Sequence, residues 1–260
     1  MKKSKQILIF VSVFLVCIMA VSIFSHIPHI KAYFLVKAIK SEEYEKIEKL
    51  LDSGIDPNII TTSVVTEAML NAVESGGERP LAVACSVGNF KIVKLLIEYG
   101  ATAEPFDTDG WSPLNETLFF YQPDDMAIVE LLLKNGADIN ELDAYDTLPI
   151  FYAAEMLPKK YYGEKNGRVQ FDEDYNEEVA QGITDIVIFL LEYGNYDINI
   201  KSAYNDSTLL IAEAKSGNKC LVEYLLSKGC DASVKDNANK TALDYASKYN
   251  HLEIIELLKG

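Results

Sequence analysis

The chain has little of what metal sites and acid–base catalysis draw on: three histidines, four cysteines and one tryptophan in 260 residues. With 14 glycines and 8 prolines it is too poor in both to be collagen-like or low-complexity, and its 49% hydrophobic residues are enough for a full core. Bases are scarce as well. Of 24 Lys and Arg, only Lys2, Lys3, Lys5 and Lys31 fall in residues 1–31, where there is no acid, which leaves 20 against all 39 acids. Nucleic-acid binding rests on clustered Lys and Arg, so no nucleic-acid partner is expected.

Short catalytic signatures are missing too. No Gly-x-x-x-x-Gly-Lys-Ser/Thr, Gly-x-Gly-x-x-Gly or Gly-x-Ser-x-Gly segment occurs, which removes the usual phosphate cradle, dinucleotide fingerprint and nucleophile elbow. His26 and His29 have metal-like spacing but no Cys or acid cluster beside them, and a metal site needs three or four ligands. Asp124-Asp125 reads as an exposed helix start, where carboxylates meet the helix dipole favourably. Asp172-Glu173-Asp174 reads as solvated surface in a polar stretch, and no Ca²⁺-loop spacing is present. No catalytic residue, metal, cofactor or small-molecule substrate is expected.

What is present begins with a long apolar run. After Met1-Lys2-Lys3-Ser4-Lys5, the eighteen residues from Ile7 to Phe24 carry no charge. At about 1.5 Å per residue such a helix spans roughly 27 Å, close to the bilayer core. It is longer than the roughly 7–15 apolar residues of a secretory signal. The reading is a single-pass transmembrane anchor, with the N-terminus cytoplasmic and the body outside the cytoplasm. The alternative is a signal cut near Ser22, after Ala20-Val21-Ser22, giving a secreted or periplasmic protein. The short lysine head before an apolar run looks bacterial. Cys17 follows Phe14-Leu15-Val16, with no small residue beside it, so lipidation is not expected.

The body repeats itself. Apolar triplets closed by glycine recur as Leu95-Leu96-Ile97-Glu98-Tyr99-Gly100, Leu131-Leu132-Leu133-Lys134-Asn135-Gly136 and Tyr224-Leu225-Leu226-Ser227-Lys228-Gly229. The closing glycines at 54, 100, 136, 194 and 229 are 46, 36, 58 and 35 residues apart. Openings recur as Arg79-Pro80-Leu81, Ser112-Pro113-Leu114, Pro149-Ile150, Thr208-Leu209-Leu210 and Thr241-Ala242-Leu243. Each unit reads as two short helices and a turn. Leu81, Ala84 and Cys85 share a face of a first helix, Gly88-Asn89 breaks it, and Ile92, Val93, Leu95, Leu96 and Ile97 form the stripe of a second that Gly100 caps. One such pair cannot bury its own stripe, so neighbours must stack. Cys220 then starts a second helix with Cys230 at its far end, about 15 Å away at 1.5 Å per residue, too far for a disulfide.

These phrases resemble the ankyrin repeat, with its period of about 33 residues, its Thr-Pro-Leu-His-x-Ala opening and its later Gly-Ala-Asp. The resemblance covers about residues 32–260, in six units at 32–58, 78–104, 110–140, 146–199, 206–235 and 239–260, after a 1–31 head, anchor and juxtamembrane segment. Glu213 and Thr117 stand where alanine is usual, and Asn250-His251 falls in an interhelix turn. The long spacings imply insertions at 59–77, 119–125 and 157–181. The last is expected between the two helices of the fourth unit, where Tyr161, Tyr162, Phe171 and Tyr175 could form a second contact surface.

The resemblance implies an all-α solenoid of stacked helix-turn-helix units with short β-hairpin-like loops, and the apolar run at 7–24 is expected to precede it as one transmembrane helix. It also implies that a partner protein is bound by the hairpin tips and the concave face of the first helices. On this register the tips are roughly 104–111, 141–146, 200–206 and 235–240. They place Phe106, Asp107, Asp109, Trp111, Asp143, Tyr145, Asp146, Tyr204 and Asp206 as partner-binding candidates, Trp111 first among them. Aromatic anchors bordered by acids suit a protein interface and would steer a basic partner. The expected function is a membrane-tethered interaction module without catalysis. The alternatives are an inhibitor or immunity-type protein neutralising a basic toxin or enzyme, and an enzyme with its site in the insertions.

Overall fold

The structure, a computed structural model, describes residues 28–60, 78–105, 111–154, 157–158 and 177–260. Among the described residues are twelve helices in consecutive pairs and one two-residue parallel ladder. The chain divides into two compact units, residues 1–102 and 103–260.

In the first unit α1 (Pro28–Lys40) packs on α2 (Tyr44–Asp52) and on α3 (Pro80–Val87), and α3 packs on α4 (Phe90–Glu98). Leu35 and Ile39 of α1, Ile47 of α2, and Ile92 and Leu96 of α4 are fully buried, while Ala38 and Ala84 keep the first helices slim at their contact. Each such Leu or Ile contributes about 1.5–3 kcal/mol relative to leaving it exposed. The Asn89 side chain accepts the Ile92 N–H and caps α4. Neighbouring turns are tied by Asn58, which donates to the Gly100 carbonyl at 2.9 Å and accepts the Thr102 N–H at 2.9 Å.

The second unit holds four pairs: α5 (Pro113–Thr117) with α6 (Asp125–Lys134), α7 (Pro149–Ala154) with α8 (Glu177–Tyr193), α9 (Leu209–Ser216) with α10 (Lys219–Ser227), and α11 (Ala242–Tyr249) with α12 (Leu252–Leu257). The first helices α5, α7, α9 and α11 pack in one row and the second helices α6, α8, α10 and α12 in another. The polar openings seen in the sequence are helix caps. Ser112, Thr208 and Asn218 accept N–H groups three residues on, and Thr241 forms a capping box with Asp244.

Several expectations are corrected. Asp125 is not solvated surface: it is fully buried, and its carboxylate accepts the Gln122 N–H at 2.6 Å, closing the turn before α6. The insertion at 157–181 is shorter than expected, because α8 already begins at Glu177. Its first residues pair with those of the 119–125 insertion, Phe120 against Leu157 and Tyr121 against Pro158. The closing glycine at 194 is not where the fourth unit turns left-handed; that conformation falls on Asn195, at φ 50°. Gly194 instead leaves room for a close approach, since a Cβ there would lie 2.6 Å from the Tyr196 ring. Cys230 lies beyond the end of α10 rather than within it. Cys85, Cys220 and Cys230 are all free thiols, and burial pushes Cys230 up to about 11.

Thr117 and Glu213 are accommodated inside the core where alanine is usual. The Thr117 hydroxyl donates to the Pro113 carbonyl at 2.9 Å, and Glu213 is almost wholly buried within hydrogen-bonding reach of Ser216. Among the described residues no helix is long and apolar enough to cross a membrane. The apolar run at 7–24 lies outside the described residues.

Candidate functional site

Two hairpin tips of the second unit are built on one device. Asp143 accepts the Tyr145 and Thr147 N–H groups at 2.8 and 2.9 Å and also the Tyr152 phenol, from the fourth residue of α7. Asp236 accepts the Ala238 and Lys240 N–H groups at 2.9 Å each and the Tyr245 phenol at 2.6 Å, from the fourth residue of α11. One carboxylate thus closes the turn and pins it to the following helix. Burial, together with the bond to Asp143, pushes the Tyr152 phenol well above its ordinary value. The bond to Asp236 raises Tyr245 to about 12.

The repeat between them departs from this pattern. Ser202 stands at the turn and Ala212 is the fourth residue of α9. Its turn is held instead by Ser202 and Ser207 backbone groups at 2.8 Å and by Asn205, whose side chain accepts the Ser207 N–H. With no phenol at 212, a cavity of ≈ 180 Å³ opens there. It is lined by the aromatic residues Tyr145, Phe151, Tyr152 and Tyr204, by Ala212, and by the polar residues Thr147, Ser202, Asn205 and Ser207.

The sequence candidates divide into three groups. Tyr145 and Tyr204 are brought together on this cavity and stand well out of the surface, 69% and 74% exposed. Asp146 and Asp206 are exposed and take the left-handed turn position at φ 55° each, a conformation Asp tolerates. Asp143 and Trp111 are turned inward. Asp143 is 5% exposed and occupied by its three donors. Trp111 is half-buried, donates Nε1–H to Glu116 at 2.6 Å, and packs edge-on against Phe119 and Tyr152 at 5.7 and 5.1 Å. Phe106, Asp107 and Asp109 lie outside the described residues, as do Tyr161, Tyr162, Phe171 and Tyr175.

Sequence reasoning missed Phe151, Tyr152 and Ala212. The signal was there, in an Asp followed nine residues later by a Tyr at 143/152 and 236/245 and the loss of both in the repeat between.

A row of paired short helices whose capped turns present exposed side chains defines a repeat scaffold for recognition. Residues 35–143 and 178–260 match the family profile for ankyrin repeats. The chain belongs to the ankyrin repeat family. It is 24% identical over 234 residues to an ankyrin repeat protein of Variola virus, covering 85% of this chain and 38% of that protein. It is 30% identical over 227 residues to the ankyrin repeat and KH domain-containing protein mask-1 of Caenorhabditis elegans, covering 84% and 8%. Rabankyrin-5 of Mus musculus is 26% identical over 226 residues, covering 85% and 18%. The chain spans well under half the length of each. Ankyrin repeats in general mediate protein–protein interaction, and homologues of this kind are typically non-enzymatic interaction modules.

Proposed function

We propose that this protein is a non-catalytic, membrane-tethered module that binds a protein partner in the groove between the hairpins of Tyr145 and Tyr204. The observation that carries this reading is the pairing of two exposed tyrosines over a cavity that the neighbouring repeat positions fill with a phenol. Exposed aromatic side chains beside a cavity are the kind of anchor that dominates interface energetics. Tethering is supported by the eighteen uncharged residues at 7–24, and the lysine head favours a body outside the cytoplasm. The net charge of −15 favours a basic partner and keeps open a narrower role, neutralising a basic toxin or enzyme at the cell surface.

Site-specific photo-crosslinking in the native host tests the reading. A crosslinker at position 145 or 204 should give an adduct with one partner protein, while one at Leu252, 63% exposed on α12, should not. Equal adducts from all three positions, or none from any, would overturn it. Intact mass of the membrane fraction tests the tether: full mass supports the anchor, and a soluble chain cut near Ser22 replaces it.

A further inference from the structure

We infer that the cavity over Ala212 receives a single arginine side chain from that basic partner, an inference that rests on the protein-binding reading above. Its size comes first. Ligand pockets for whole small molecules run to about 300–1,000 Å³, whereas an engineered cavity of about 150 Å³ holds one benzene. At ≈ 180 Å³ this cavity suits one side chain.

The chemistry of the walls selects the side chain. Four of the nine lining residues, Tyr145, Phe151, Tyr152 and Tyr204, are aromatic, and aromatic faces attract a cation. The rim adds negative charge, because Asp146 lies between the lining residues Tyr145 and Thr147, and Asp206 between Asn205 and Ser207. Neither Asp uses its carboxylate to hold its own turn in the way Asp143 and Asp236 do. Arginine suits these walls better than lysine, since its planar guanidinium stacks on aromatic faces and is more weakly hydrated. Asn205 and Ser207 add polar residues to the lining.

The two flanking repeats lack this space. In the flanking repeats Tyr152 and Tyr245 occupy the place of Ala212 and bond to their own hairpin aspartate. Ala212→Tyr would therefore fill the cavity with the ring that the two flanking repeats carry.

The experiment titrates the full-length chain, in detergent micelles and with labelled tyrosine rings, with N-acetyl-arginine amide. N-acetyl-citrulline amide, of the same shape and uncharged, is the control. Saturable shifts of ring resonances of Tyr145 and Tyr204 are expected, with citrulline binding at least about tenfold more weakly. Ala212→Tyr should abolish the shifts. Tyr204→Ala, at an exposed position that cannot disturb the core, should weaken binding and keeps the test sound if Ala212→Tyr fails to fold. Equal binding of citrulline, absence of saturation, or unchanged binding in Tyr204→Ala would overturn the inference. Arginine failing while position 204 still crosslinks a partner would sink the arginine site and spare the module. Arginine binding with no crosslinked partner would do the reverse.

Discussion

The Tyr152 phenol hydrogen-bonds to the carboxylate of Asp143, nine residues before it, so one buried acid ties a hairpin tip to the helix behind it. Because the same carboxylate also accepts two backbone N–H groups, removing it strands three donors at once. Asp143→Ala should lower stability by about 2–4 kcal/mol, and Tyr152→Phe, which loses one bond, by about 1 kcal/mol. In urea unfolding the double variant should cost less than the sum of the two, since they share a bond. Additive losses would show that the phenol and the carboxylate act separately.

A second contact of this kind sits at the turn after α9. Gly217 adopts φ +90°, and a Cβ there would lie 2.7 Å from His251 Cε1. Gly229 has a similar φ of +83° with open space around it. An L-residue in this conformation costs about 1–2 kcal/mol. Gly229→Ala should lose that much, and Gly217→Ala should lose more, because the imidazole must also give up its approach to the Lys215 carbonyl at 3.2 Å. The gap between the two variants in urea midpoint should close in a His251→Ala background. A gap that persists there would rule out the ring as its source.

These contacts mark the boundary of what the sequence makes legible. Helix starts at Ser112-Pro113, Thr208 and Thr241 are readable because a cap is a local device, satisfied within three residues, and the start at Pro80 because proline suits the first helical position. The aromatic tips at Tyr145 and Tyr204 are legible from the repeat register. Asp125 is misread as surface because its burial is decided by the neighbouring helices and by the turn at Gln122. Gly194 reads as the closing glycine of the fourth repeat, yet the left-handed position falls one residue later, on Asn195. The cavity is the least visible feature, since it consists of a ring that position 212 lacks, and its significance depends on superposing three repeats.

Extremes of pH should act on the C-terminal hairpin from both sides. Tyr245 is raised to about 12 by its bond to Asp236, and outside this hairpin, after α8, Tyr196 is raised to about 12 mainly by burial. A raised phenol holds its proton more tightly when folded, so its contribution is complete below the ordinary value of 10.0 and fades as pH climbs towards 12. Asp244 is lowered by the backbone and side chain of Thr241, and Asp236 is lowered, against burial, by Tyr245 and two N–H donors. Their contribution is present above the ordinary 3.8 and lost as pH falls below it. Urea midpoints should therefore fall at both ends, and Tyr245→Phe should flatten the alkaline arm. An alkaline arm unchanged by Tyr245→Phe would assign that loss to other tyrosines.

Trp111 and Tyr204, both sequence candidates for partner contact, should separate cleanly into packing and recognition. Full truncation of a core aromatic costs about 3–5 kcal/mol. Trp111 is half-buried against Phe119 and Tyr152 and bonded to Glu116, so Trp111→Ala should cost about 2–3 kcal/mol in urea unfolding. Tyr204, 74% exposed, should cost less than about 0.5 kcal/mol as Tyr204→Ala. Crosslinking from position 145 should behave oppositely, falling in Tyr204→Ala at unchanged stability. In Trp111→Ala it should fall only as far as Tyr152, which Trp111 braces, shifts in the cavity wall. A Trp111→Ala variant that kept its urea midpoint yet lost the crosslink would return Trp111 to the binding surface and leave the Tyr152 contact without an energetic role.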